Sequence, residues 1–400
     1  AVGPSERRPH PQLNQVQTID QDVAKASQQD SREGRIEWLR FGSAMLVVVC
    51  HFAALYASYF HSFDVDSATT EASPSKITTA LTALYFQFHG AYIFFAISGY
   101  VIAKPWLERL QVPSHHEFFQ RRAFRLLPAA TLAIVATAYF DFYHLEHRNI
   151  EAPTLLLNLV YLNWLAPTST PPILIVTWTL AVEWLFYLAA PLLVGFLIRQ
   201  QRPLLSLIVL TLLSSAVLRS ITANAYAYPL YFAVGIAIAI QRTSSHVYHP
   251  NRTYSWQLLV SGCVTILLAS LLYSAQAPIN WRPVQWEWRP FDTFVLLHLA
   301  GTTALLYWAS SPATKSAKVP NIAPKLPKLT YSIYLWHLQA SILLFAVVST
   351  IATPQTSLPE TVRLLSLLAL ALLLTLALAW LSYLIAERPY FHWRRRQLPQ

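Results

Sequence analysis

The chain has 400 residues, of which only 12% are charged and 54% are hydrophobic, with a mean hydropathy of +0.38. Ordinary globular chains carry about 25% charged residues, so there is too little charge here to cover a soluble surface, and a soluble enzyme or a disordered protein is excluded. The net charge of +10 reads as membrane topology rather than nucleic-acid binding, because basic residues gather in the cytosolic loops of membrane proteins. Cys50 and Cys263 both lie in apolar runs, so no disulfide framework and no cysteine metal site is expected.

Residues 1–34 are polar, with Pro4, Pro9 and Pro11 and no apolar periodicity, and read as a disordered cytosolic tail. They lack the apolar core of a signal peptide, so the first hydrophobic run is expected to be retained as a span. Apolar stretches follow near 38–60, 79–103, 123–143, 177–198, 204–220, 226–240, 257–274, 293–309, 330–351 and 361–385. Most reach the roughly 20 residues that cross a bilayer as helix; those near 226–240 and 293–309 are short. Residues 154–166 are shorter still and run into the Pro-rich Pro167 to Pro172, which predicts a re-entrant or interfacial segment.

The charges test this count. With ten spans and a cytosolic N-terminus, every Lys and Arg falls on the cytosolic side except Lys76, Arg148, Arg219, Arg282, Arg289 and Arg363. Counting 154–166 as a span would reverse all that follows and put Arg394, Arg395 and Arg396 outside. The expectation is an all-α, polytopic integral membrane protein of ten transmembrane helices and one short re-entrant segment, both termini cytosolic. Residues 35–390 form its membrane domain, and residues 391–400 a basic cytosolic tail. No internal repeat is evident, which weakens an inverted-repeat transporter. The acceptor motif Asn251-Arg252-Thr253 falls on the cytosolic side, where it would stay unglycosylated.

An ionisable group at membrane depth costs a few kcal/mol or more, so each needs a partner or a task. Arg40 and His51 share the first span as Arg-x10-His, about 16 Å apart along one helix, with His51 well inside. Glu183 lies about 9 Å below the outer end of its helix, at a depth similar to His51. The two could pair and so fix the imidazole tautomer; a buried structural pair, or a proton-coupled transporter, would use the same residues. Arg121, Arg122 and Arg125 open the third span, Arg122 and Arg125 on one face, as a grip for a polyanion or a plain positive-inside anchor. His89 and Ser98-Gly99 on the second span read as packing residues. His337, about 10 Å in from the cytosolic face, reads as a channel-lining residue or a helix-to-helix bond. Glu387-Arg388-Pro389 reads as an ion pair and helix stop. No Gly-rich phosphate loop and no zinc motif is present.

Six motifs in this order resemble the membrane acyltransferase-3 family. They are Arg40-x10-His51, Phe94-Phe95-x-x-Ser98-Gly99-Tyr100, Arg121-Arg122-x-x-Arg125, Trp178-x-Leu180-x-Val182-Glu183-x-x-Phe186-Tyr187, Tyr331-Ser332-x-Tyr334-Leu335-Trp336-His337 and Glu387-Arg388-Pro389. The resemblance implies an integral-membrane O-acyltransferase, for which the cytoplasmic membrane is the expected location in a bacterial host. It would move an acyl group, usually acetyl, from cytosolic acyl-CoA to a hydroxyl of a carbohydrate or other envelope or secreted acceptor. Carried onto this chain, His51 would be the essential histidine, and Arg40, Arg121, Arg122 and Arg125 would serve the acyl-CoA side. The reading of the residues adds Glu183 as the group that would orient His51 and His337 as a lining of the donor channel, with no metal and no nucleic acid expected. The family's fused C-terminal hydrolase-like domain is not expected. Glu37, Trp184 and the lack of a Pro soon after His337 depart from the family pattern and bear on the acceptor. The rival from another class is a proton-coupled exporter of a saccharide or lipid-linked intermediate, which gives no reason for three arginines at one helix start.

Overall fold

The computed structural model describes residues 11–61, 63–64, 69–70, 90–140, 150–162, 172–221, 225–244, 252–276, 289–311, 326–351 and 359–391. These are almost wholly helical: α1 (Pro11–His61), α2 (Gly90–Arg109), α3 (His115–Phe140), α4 (Ala152–Leu159), α5 (Thr177–Ile198) and α6 (Pro203–Ile221), then α7 (Ala227–Ser244), α8 (Arg252–Gln276), α9 (Arg289–Ser310), α10 (Thr330–Ile351) and α11 (Glu360–Ser382). A 3-10 turn, Leu326–Leu329, leads into α10, and a π-helical turn, Tyr383–Glu387, closes α11. Outside the helices, β1 (Phe63–Asp64) and β2 (Thr69–Thr70) form a two-residue antiparallel ladder.

Eight of the described helices are long and apolar enough to cross a membrane, among them Gly34–Ala57 of α1, Asp292–Ser310 of α9 and Glu360–Phe391 at the end of the chain. The protein is an integral membrane protein on this ground. Of the ten stretches expected, α7 and α8 fall outside the eight. In α7 the residues Tyr228, Pro229, Gln241 and Arg242 lower the mean hydropathy, and its apolar face, with Ala227, Tyr231, Ile236 and Ala239, is fully buried. The stretch near 293–309, short by sequence, is a full-length span because the helix extends to Asp292 and Ser310.

Helix α1 begins at Pro11, well before its apolar part, so the backbone of residues 11–33, expected to be a disordered tail, is helical. Extending a helix already nucleated by a packed span requires only the ordering of one residue per added bond. The first ten residues, and the basic tail beyond Phe391, lie outside the described residues, as do His89 and Asn251.

The short segment after α3 is helical over only eight residues in α4, too few to cross a bilayer. Asn158, fully buried, pins it: its Nδ2 donates to Thr154 O (2.9 Å) and its Oδ1 accepts from Ile173 N (3.1 Å), ahead of α5. Tyr161 follows with φ of 58°, left-handed backbone that a bulky residue seldom adopts.

The bundle is centred on α2 and α7, which cross at two glycines. A Cβ on Gly99 would stand 2.2 Å from Phe232 O, and one on Gly235 would stand 2.0 Å from Ala96 O. Only the absence of a side chain lets these backbones touch, as small residues do at membrane helix crossings. Around the crossing, Phe232 stacks between Phe95 (5.0 Å) and Phe186 (4.0 Å). Helices α8 and α9 repeat the device at Gly262 and Gly301. Arg35 of α1 donates to Ser311 O and Arg242 of α7 to Tyr307 O (3.0 Å), so two guanidinium groups satisfy carbonyls at the C-terminal end of α9.

Candidate functional site

A cavity of about 340 Å³ opens where α1 begins its apolar run, α3 starts and α11 ends. Arg40 of α1 and Arg122 and Arg125 of α3 line it, with Lys328 from the turn before α10. The i,i+3 spacing of Arg122 and Arg125 puts both on the inward face of α3. Arg121, one position aside, is exposed and bonds Glu117 on its own helix, so it points out of the cavity. Arg122 is held between rings, its guanidinium carbon 5.3 Å from the centre of Tyr187 and 5.7 Å from that of Phe118.

Three carboxylates face these cations: Glu37, Glu183 and Glu387. Glu183 accepts a hydrogen bond from Ser98 of α2 (2.5 Å) and is among the charged neighbours of Arg40, as are Arg122 and Arg125. Glu387 is brought inward by the π-helical turn, a feature often found at functional positions. It is buried and accepts from Ser332 (2.5 Å), which places its carboxylate in the cavity wall. Toward the middle of the bundle the cavity turns apolar, bounded by Phe94, Phe95, Leu180 and Tyr334. A polar mouth with an apolar interior suits a ligand that carries anionic charge at one end and a long neutral arm at the other.

His51 is not on this cavity wall but next to it. Its Nδ1 lies 2.9 Å from Val47 O, one turn back on α1, and 3.3 Å from Nε2 of His337 on α10. The two rings have centroids 5.0 Å apart. His337 is fully buried, and its own Nδ1 lies 2.7 Å from Tyr334 O. A carbonyl only accepts, so each ring carries its proton on Nδ1 in the neutral state. The His51 N–H is then shared between Val47 O and the lone pair of His337 Nε2, and the lone pair of His51 sits on Nε2. Tyr334 connects this pair to the cavity. Its hydroxyl lies 3.0 Å from Val176 O and 2.7 Å from Thr179 Oγ1, and its ring lines the cavity wall.

The structure therefore brings together Arg40, Arg122, Arg125 and Glu183 around one space, and His51 with His337 beside it. It separates what the sequence set side by side: Glu183 is engaged by Ser98, and the ring against His51 is His337. Depth along two helices says how far in each residue lies but not which way it faces, which is why the sequence paired the wrong two. His337, expected on the donor channel, stands behind His51 instead. Ser98, Glu387 and Lys328 are cavity residues that the sequence reading did not single out for chemistry. Their signal was present in the serine and carboxylate of spans that otherwise hold few polar groups. Among the described residues no three His, Cys, Asp or Glu side chains come together as a metal site.

The site is thus a cation-lined cavity in a helical membrane bundle, with a histidine pair beside it. The model of the acyltransferase-3 family, described as an acyltransferase domain, matches residues 33–384, and the chain belongs to that family. Neither the curated proteins nor the solved structures gave a match.

Proposed function

We propose that this acyltransferase takes its acyl group from cytosolic acyl-CoA, with acetyl-CoA the favoured donor, and places it on a hydroxyl of a carbohydrate or other envelope acceptor. The observation that carries the reading is the cavity that gathers Arg40, Arg122 and Arg125 at its mouth and reaches inward to Tyr334, one helical turn from His337. Guanidinium groups in such a cluster match phosphate oxygens in charge and geometry. The cavity is smaller than a whole CoA thioester, so it would hold the phosphates and part of the pantetheine arm while the nucleoside stays at the mouth. Glu183 and Glu387 balance part of the arginine charge before the donor arrives and keep the side chains in place.

In the reaction, the acceptor oxygen attacks the thioester carbonyl, its O–H bond breaks and the C–S bond breaks. His51 Nε2 takes the hydroxyl proton and returns it to the departing thiolate, giving an ester and free CoA thiol. The same lone pair would serve if the acyl group rests first on His51 and then passes to the acceptor. We place the donor side in the cytosol and the acceptor on the outer side, within a ten-span topology with cytosolic termini, on the distribution of basic residues. Membership of an acyltransferase family favours this over the exporter, which would release no thiol.

Calorimetric titration of the purified protein with acetyl-CoA tests the donor site. Saturable binding in the wild type, weakened about 100-fold or more in an Arg122→Ala/Arg125→Ala variant, is the expected result, since each charged hydrogen bond contributes about 1.5–3 kcal/mol. No binding by a folded wild-type sample would overturn the donor assignment.

A further inference from the structure

Resting on acyl transfer by His51, we infer that His337 is a positioning residue: it receives the Nδ1 proton of His51 as a hydrogen bond and so fixes which nitrogen of His51 does the chemistry. A histidine acting as base must present its lone pair to the reacting hydroxyl, and an imidazole has two nitrogens. In hydrolases this choice is made by a carboxylate behind the ring. Here Glu183, the carboxylate that the sequence set beside His51, accepts from Ser98 instead. The group behind His51 is the neutral Nε2 of His337 at 3.3 Å.

The geometry behaves as a chain with one direction. Tyr334 O accepts the Nδ1 proton of His337 at 2.7 Å, and that fixes the lone pair of His337 on Nε2. The lone pair accepts from His51 Nδ1, together with Val47 O at 2.9 Å. His51 is left with its lone pair on Nε2. When that nitrogen takes a proton, the new charge lies against two acceptors already in place, and nothing needs to reorient. In this step the Nδ1 proton stays on His51, and His337 Nε2 takes part as a hydrogen-bond acceptor.

The same turn of α10 explains why the device sits here. Tyr334 forms part of the cavity wall and is tied to α5 through Thr179 (2.7 Å), while His337, three residues on, backs the base on α1. The residue that walls the donor space and the residue that orients the base are thus held by one rigid turn. This assigns His337 a role other than gripping the donor. It also predicts that an amide, which keeps an acceptor oxygen in nearly the same place, will substitute for it, whereas an apolar ring of similar bulk will not.

The test uses the full-length protein in lipid nanodiscs, acetyl-CoA as donor, a panel of methyl pyranosides as probe acceptors, and release of CoA thiol as the readout. His337→Phe should lower kcat about 10- to 100-fold, the lower part of the range for a general base, with the KM for acetyl-CoA within about twofold of wild type. His337→Gln should recover most of the lost kcat. Equal activity in His337→Phe and wild type would overturn the inference. So would equal loss in the Phe and Gln variants at unchanged melting temperature, because a residue that merely fills space gains nothing from an amide acceptor. A raised acetyl-CoA KM with kcat intact would return His337 to the donor side and likewise overturn it. Absence of thiol release by the wild type with any acceptor would instead strike at acyl transfer itself, so the two failures are distinguishable.

Discussion

Among the described residues, histidines meet other helices inside the bundle in two places, and the surroundings make them different things. His298 of α9 is wholly buried, its Nδ1 2.9 Å from Tyr231 OH and 3.3 Å from Thr302 Oγ1, among the rings of Tyr92 and Phe294. It belongs to the tightly packed α2–α7–α9 core, with Tyr92 and Tyr231 meeting its ring edge-on and Phe294 tilted against it. His51 and His337 instead meet each other across α1 and α10, within one helical turn of a cavity that holds three arginines. An imidazole bonded through Nδ1 to hydroxyls on its own and a neighbouring helix, inside a packed aromatic core, is a cross-brace between helices. An imidazole whose proton is committed to an acceptor, leaving a lone pair near a space that admits a ligand, has the means for chemistry.

The comparison can be broken most sharply at His51. His51→Ala should reduce CoA release by about 10³-fold or more while the protein still inserts and melts normally, as judged by thiol assay and by thermal unfolding in detergent. Near wild-type turnover would make the α1–α10 pair no different in kind from His298. The complementary change, His298→Phe, should lower thermal stability by an amount corresponding to about 1–3 kcal/mol, since it leaves the Tyr231 hydroxyl without its partner. The kcat of the folded fraction should be unchanged, and a specific loss of kcat there would erase the distinction from the other side.

Packing around the first centre should prove as intolerant as its lack of space suggests. Gly235→Ala places a Cβ 2.0 Å from Ala96 O, and overpacking of this kind costs about 1–3 kcal/mol or more. A lowered melting temperature is expected; an unchanged one would mean that α2 and α7 separate easily. The smallest effect is expected at Arg121→Ala. Its side chain is exposed and bonded to Glu117, so acetyl-CoA affinity should stay within about twofold of wild type, in contrast to Arg122 and Arg125. A loss equal to theirs would show that all three arginines reach the donor.

Much of this was legible in the chain. Composition alone required a membrane protein, since 12% charged residues do not clothe a soluble one of this length. The apolar runs overlap every long helix among the described residues, and the short stretch 154–166 overlaps the eight-residue α4. The six motifs led to the family and to Arg40, Arg122, Arg125, His51 and Glu183 as the residues to watch. Residue type and helical spacing are local properties, and helices in lipid satisfy their backbone internally, so a linear pattern suffices to place them along the membrane normal.

What the sequence does not hold is rotation and partnership. Whether Glu183 faces Ser98 or His51, whether Arg121 joins its neighbours or leaves them, and whether His337 meets a ligand or another histidine depend on how each helix turns about its axis. That is set by contacts between distant segments, above all the close approach of Gly99 to Phe232 and of Gly235 to Ala96. The π-helical turn that swings Glu387 inward is likewise invisible to a 3.6-residue period. The sequence by itself determined a membrane-embedded helical protein and its family, and it named Arg40, Arg122, Arg125 and Glu183, which line one cavity. Tertiary packing alone decided which of those residues face one another, because depth is fixed by the length of chain and facing by the neighbours.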